Sequence, residues 1–93
     1  MSWKLLTVID NDLRSRFGLN VRQYAVADLI KGKMCWNDEL KDTWSEIDID
    51  DLARFLDEDL EEIQNDIKLL MQKGLIEHIE PSFYRATRDF FNF

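Results

Sequence analysis

Leu60, Ile63, Ile67 and Leu70 recur at steps of three, four and three residues, the spacing that lines one face of an α-helix. Asp59 ahead of this stripe, with Glu62 three residues on, predicts a capping box at its start. A shorter apolar group, Leu52, Ala53, Phe55 and Leu56, predicts the inward side of a preceding helix. Asp48 would cap that helix, with Asp51 reaching back to the backbone. The two helices meet at Asp57, a residue type that tolerates the left-handed conformation of a tight turn. Gly74 predicts the end of the longer helix. Leu75 to Ile79 and Phe83 to Thr87 then read as a β-hairpin around Glu80-Pro81-Ser82-Phe83, whose proline suits the second position of a type I or II turn.

Upstream, Trp3 to Ile9 has the partial alternation and β-branched content of a strand. Asp10 predicts the cap of a short helix from Asn11 to Phe17, with Leu13 and Phe17 on one face and Gly18 closing it. Asn20 and Gln23 predict a capping box for the next helix. Its broad apolar face is Val21, Tyr24, Ala25, Val26, Leu29 and Ile30, and Gly32 stops it. Residues 33–46 are ambiguous, because Trp36, Leu40 and Trp44 fall at helical spacing. A loop or a short helix from about Asn37, followed by a strand over Thr43 to Ile47, is the expected arrangement. Trp36 and Trp44 are expected to act as lids on the core. Phe90, Phe91 and Phe93 crowd the tail, where they are expected to pack onto the first helix or to dock into a partner.

The run from Ile47 to Ile76 resembles the winged helix-turn-helix family. The residues that carry the likeness are Asp48, Leu52-Ala53, Leu56, Ile63, Ile67, Leu70 and the ending Lys73-Gly74-Leu75-Ile76. More loosely, the whole chain looks like the amino-terminal winged domain of primosomal and phage replisome-organiser proteins, which have a Gly-Leu-Asn turn where Gly18-Leu19-Asn20 stands here. The resemblance implies a mainly α (α+β) fold: one domain with a short C-terminal β-hairpin wing over 75–88 and a helix-turn-helix over 47–74. A basic strand-helix-helix lead-in over 1–33 and an aromatic tail over 89–93 flank it. Asp57 stands where the family commonly has glycine. In DNA-reading members the outward positions of the third helix meet bases and phosphates, which here implies Gln64, Asn65, Lys68 and Gln72, with phosphate help from Arg85 and Arg88.

Charge changes that picture. Residues 1–33 hold six bases against three acids (+3), residues 34–83 four bases against fifteen acids (−11), and the last ten residues two bases against one acid (+1), giving −7 in all. Asp57, Glu58, Asp59, Glu61 and Glu62 cluster at the start of the third helix, where each would repel phosphate. The expected reading is therefore a non-enzymatic interaction module. Its acidic cluster would meet a basic protein surface in a replication, transcription or phage-host regulatory assembly. The +3 and −11 segments further suggest a homodimer, in which Arg14, Arg16, Phe90, Phe91 and Phe93 would take part. A sequence-specific DNA-binding regulator is the alternative, and an acidic mimic of DNA that inhibits another protein is a third.

The remaining chemistry is sparse. Cys35 is the only cysteine and His78 the only histidine, a poor basis for zinc, and the single cysteine fits a reducing cytoplasm. The runs Asp48-Ile49-Asp50-Asp51 and Asp57-Glu58-Asp59 lack the mid-loop glycine of a calcium loop. No phosphate loop or nucleophile elbow is present, so no cofactor and no enzymatic activity are expected. The opening MSWKLLTVID has no small-residue cleavage site, which argues against a secretory signal, and no apolar run is long enough for a membrane span.

Overall fold

The structure, a computed structural model, describes residues 10–79 and 81–91, the backbone alone at Phe91. The strand expected over Trp3 to Ile9, Glu80 of the turn and Phe93 of the tail lie outside the described residues. In chain order the elements are α1 (Asn11–Phe17), α2 (Val21–Gly32), β1 (Cys35–Asn37), β2 (Asp42–Glu46) and α3 (Ile49–Leu56). They continue with α4 (Leu60–Gln72), β3 (Ile76–Ile79), β4 (Phe83–Ala86) and α5 (Arg88–Phe91). The fold is α+β, with an antiparallel sheet in the order β1-β2-β4-β3.

The first two helices follow from their caps. The Asp10 side chain accepts from the backbone N–H groups of Asp12 and Leu13, and Gly18 leaves α1 with φ 69°. Asn20 and Gln23 form the reciprocal capping box that starts α2. Tyr24, Ala25, Val26, Ala27 and Ile30 of α2 are buried, with Val21 and Leu29 half-buried beside them. Gly32 is the last helical residue, and the chain turns away at Lys33 without entering the left-handed region.

Residues 33–46 depart from expectation. In place of a loop or short helix from Asn37, β1 and β2 form a hairpin with Cys35 opposite Trp44, Trp36 opposite Thr43 and Asn37 opposite Asp42. The Asn37 side chain accepts from the backbone of Glu39 and Leu40, and Lys41 takes φ 54° to complete the turn. An asparagine-nucleated turn thus competes successfully with the helical spacing of the apolar residues. The strand expected ahead of the second helix is β2. Of the two tryptophans expected as lids, Trp44 is buried at 5% exposure, whereas Trp36 is 61% exposed and donates its indole N–H to Asp38.

α3 and α4 lie across the core from α2. Leu52, Ala53 and Leu56 face inward from α3, and Ile63, Ile67 and Leu70 from α4. Two residues expected inside are not: Phe55 is 49% exposed and Leu60 is also exposed. Asp57 joins the helices at φ 55°, ψ 48°, the left-handed conformation. Both expected capping boxes are absent here. Asp48 caps α3 through the Asp50 N–H, but Asp51 pairs with Arg54 one turn on instead of reaching back. Asp59 makes no side-chain cap bond to α4, and Glu62 is drawn sideways to Arg22. An L-residue in the left-handed region costs roughly 1–2 kcal/mol, somewhat less for aspartate. Asp57→Gly is therefore expected to raise unfolding free energy by about 1 kcal/mol, read as a higher urea midpoint at unchanged slope. No change would mean the Asp57 carboxylate recovers the cost locally.

Gly74, at φ 74°, turns the chain out of α4 into β3. The hairpin β3–β4 pairs Ile76 with Ala86 and His78 with Tyr84. These side chains share the inner face of the sheet, where Ile76, Tyr84 and Ala86 are buried and the His78 ring stacks on Tyr84 at 4.3 Å. β2 then seals against β4, with Ser45 opposite Tyr84 and the Ser45 hydroxyl donating to the Tyr84 carbonyl. α5 returns Phe90 to the core at 2% exposure, tilted against Phe17 at 5.7 Å and edge-on to Tyr24 at 5.8 Å.

Candidate functional site

The joint between α3 and α4, together with the outer side of α4, gathers most of the residues singled out in the sequence. Asp57, Asp59 and Glu61 are exposed and Glu58 is half-buried, its N–H donating to the Ala53 carbonyl. Gln64, Asn65, Lys68 and Gln72 are all exposed along α4, on the side opposite Ile63, Ile67 and Leu70. After its acidic first turn, that outer side is a run of amides with one lysine.

The fifth acid of the cluster, Glu62, has a partner that sequence spacing did not reveal. Arg22 of α2 donates from Nε to Asp66 Oδ2 at 2.6 Å, from Nη2 to Asp66 Oδ1 at 3.1 Å and from Nη1 to Glu62 Oε2 at 3.1 Å. Of the five acids expected to cluster there, Glu62 is thus neutralised by a cation from another helix. Asp66 is 2% exposed, so its charge is tolerable only because the guanidinium fork meets it on both oxygens. The hydrogen bond to Asp66 and the negative field of Asp66, Glu62 and Glu58 together hold Arg22 above the ordinary arginine pKa. Arg22 and Asp66 sit 44 residues apart, and neither alone looks different from a solvated charge on a helix.

Of the two cations expected to help with phosphate, Arg85 is engaged in a similar way, whereas Arg88 is exposed. Arg85 of β4 donates to Asp42 of β2 at 2.6 Å and to Glu77 of β3 at 3.0 Å, and its guanidinium lies 4.3 Å from the Trp44 ring centre. It spans three strands of the outer sheet face and roofs the tryptophan. The Thr43 N–H and this arginine hold the Asp42 carboxyl below the ordinary carboxylate range, so that part of the ladder weakens as pH falls through the lowered value. Arg14, expected to take part in self-association, is half-buried and donates to the Leu19 carbonyl at 2.9 Å and to Asn11 at 3.3 Å. Arg16 and Arg88 are exposed, on α1 and at the start of α5, away from the α3–α4 joint in sequence.

Of the self-association candidates, Phe90 is removed by its burial in the core, where Lys31 also lies 5.9 Å from its ring centre. For Phe90, this packing against Phe17 realises the expected return onto the first helix. Phe91 contributes backbone to α5, and Phe93 is outside the described residues.

Among the described residues, no group of three or more His, Cys, Asp or Glu side chains is placed to hold a metal ion, and no helix is long and apolar enough to cross a membrane. No family model, curated protein or solved structure matches the chain.

Proposed function

We propose that this protein is a non-enzymatic module of winged-helix type that works through protein contacts, its acidic α3–α4 joint meeting a basic surface of a partner in a replication, transcription or phage-host regulatory assembly. The order of elements supports the fold part of this reading. A strand leads into the helical pair, a hairpin follows it, and the leading strand β2 pairs with β4, the last strand of that hairpin.

The observation that carries the functional part is where the arginines go. A DNA reader turns guanidinium groups outward to phosphate. Here Arg22 is committed to Glu62 and Asp66, Arg85 to Asp42 and Glu77, and Arg14 to the Leu19 carbonyl. Asp57, Asp59 and Glu61 stay exposed at the joint, which favours a basic partner. The partner would be held by charge pairs at the rim of an interface and by apolar contacts nearby.

The row Gln64, Asn65, Lys68 and Gln72 favours a second reading, in which α4 reads adenine edges in a major groove. Titration with mixed-sequence duplex DNA at about 50 mM salt separates the two, because nonspecific and specific DNA binding are both strongest at low salt. The expected result is no binding to DNA, with nuclease-resistant recovery of basic proteins from extract that is lost when Asp57, Asp59 and Glu61 are reversed to lysine. DNA binding that weakens steeply with salt and is lost in Lys68→Glu would overturn the protein-contact reading.

A further inference from the structure

A groove between the end of α2, the link after β2 and α3 opens at the edge of the core, apart from the acidic cluster at the α3–α4 joint. Its floor is apolar: Leu29 from the end of α2, Ile47 from the link after β2, and Leu52 and Phe55 from α3. Its rim carries Glu46, Asp48 and Asp51, with Lys33 at one end, and it encloses about 360 Å³. Phe55 is 49% exposed in it, although its spacing on α3 puts it with the inward residues. The half-exposed ring of Phe55 beside this apolar recess offers a contact surface for an apolar side chain.

The groove is preformed. The Ile47 N–H donates to the Ser82 carbonyl at 2.9 Å, tying the floor to the turn between β3 and β4. Asp48 caps α3 and fixes the direction in which Leu52 and Phe55 point. A second depression continues past Ile47 and Asp48 to Pro81, Ser82 and Tyr84. An occupant could therefore run on from the pocket towards that turn.

The charges decide its chemistry. Asp51 already has Arg54 at 3.1 Å, whereas Glu46 and Asp48 have no ion pair among the described residues. We infer that this groove seats a short amphipathic segment of a partner protein, with a leucine or aromatic side chain between Leu29 and Phe55 and lysine or arginine over Glu46 and Asp48. Burial of the apolar anchor supplies the affinity, and the acidic rim selects the basic flanks. The inference rests on the protein-contact reading and gives that contact a second, apolar component between the end of α2 and α3.

The test uses the full chain, isotope-labelled, and a synthetic amphipathic helix of leucine, alanine and lysine as the probe. A twin with glutamate in place of lysine serves as control. The lysine peptide is expected to shift amide resonances of Lys33, Ile47, Leu52 and Phe55, and the twin to leave them in place. Phe55→Ala should weaken binding by about tenfold or more, the value of burying one large side chain, with an unchanged circular dichroism spectrum because Phe55 lies outside the core cluster. Glu46→Lys, a surface change, should weaken it without touching the floor. Shifts centred on Glu61 and Gln64 with Phe55→Ala binding normally would overturn the groove while leaving the protein-contact reading standing. Equal binding of the glutamate twin would overturn the charge argument. Concentration-dependent self-association abolished by Phe55→Ala would give the groove to a second copy and overturn the proposed occupant. DNA binding through α4 would instead overturn the protein-contact reading, and the peptide map would still report on the groove separately.

Discussion

Replacing Arg22 with methionine should cost about 3–5 kcal/mol of unfolding free energy, because it strands a buried carboxylate without a counter-charge. Asp66 is nearly fully enclosed between α2 and α4, and among the described residues its side-chain oxygens bond only to Arg22. Methionine keeps the apolar stem that lies along the helix, so the loss isolates the charge and its hydrogen bonds. The reverse change, Asp66→Leu, should cost distinctly less. Arg22 has a quarter of its side chain in solvent and keeps Glu62 as a partner. The double variant Arg22→Met/Asp66→Leu should recover much of the loss, since an apolar pair of similar volume often replaces a buried ion pair at little net cost. Urea denaturation at neutral pH reads all three. Equal costs for the two single variants would show that the contact is a surface pair and not a buried one.

Phe90→Ala is expected to cost about 3–5 kcal/mol, the range for removing a buried aromatic ring from a core. The ring is enclosed between Phe17 of α1 and Tyr24 of α2, so the cavity would open where α1 meets the rest of the fold. α1 has no buried residue of its own and is held through the half-buried Leu13 and Phe17. Amide exchange in α1 should therefore accelerate more than exchange in α4. Uniform acceleration across both helices would mean that Phe90 supports the whole core equally, with no special role at α1.

What could be read in advance was local. Asp10, Asn20 and Gly18 act within four residues of the backbone groups they serve, and the structure has them doing so. Asp57, between two helix patterns, and Gly74, between a helix and a strand, take the left-handed conformations that their positions demand. The misses share the opposite property. The hairpin β1–β2 was obscured because Lys41, not glycine, takes the left-handed place in its turn, while Trp36, Leu40 and Trp44 mimic a helical stripe. The caps expected at Asp51 and Glu62 failed because each side chain found an arginine, and for Glu62 that arginine comes from another helix. Of the candidate site, the amide row on α4 was legible from spacing. The engagement of Arg14, Arg22 and Arg85 within the fold was not, since two of the three pair with residues about 40 positions away.

Asp57 adds a point about cost. A glycine at the joint would fit its backbone better, yet the residue present adds one more exposed negative charge to the joint. Under the protein-contact reading proposed above, that extra charge serves the partner at a cost in stability. The gain expected for Asp57→Gly and the loss of partner recovery expected from reversing the joint acids are two sides of that trade.

The seam between β2 and β4 also sets the order in which this chain can fold. Each flanking hairpin, β1–β2 and β3–β4, closes over a short loop, whereas Ser45 and Tyr84 pair across 39 residues that hold the helical pair. Contacts of such long sequence separation come late because the loop must close before its bonds form. During synthesis, β2 therefore keeps one side open until β4 has been made and can pair with it. A chain halted after α4 would present that open edge, with Trp44 on it, to other nascent chains, and aggregation of such truncated products is the hazard this topology carries.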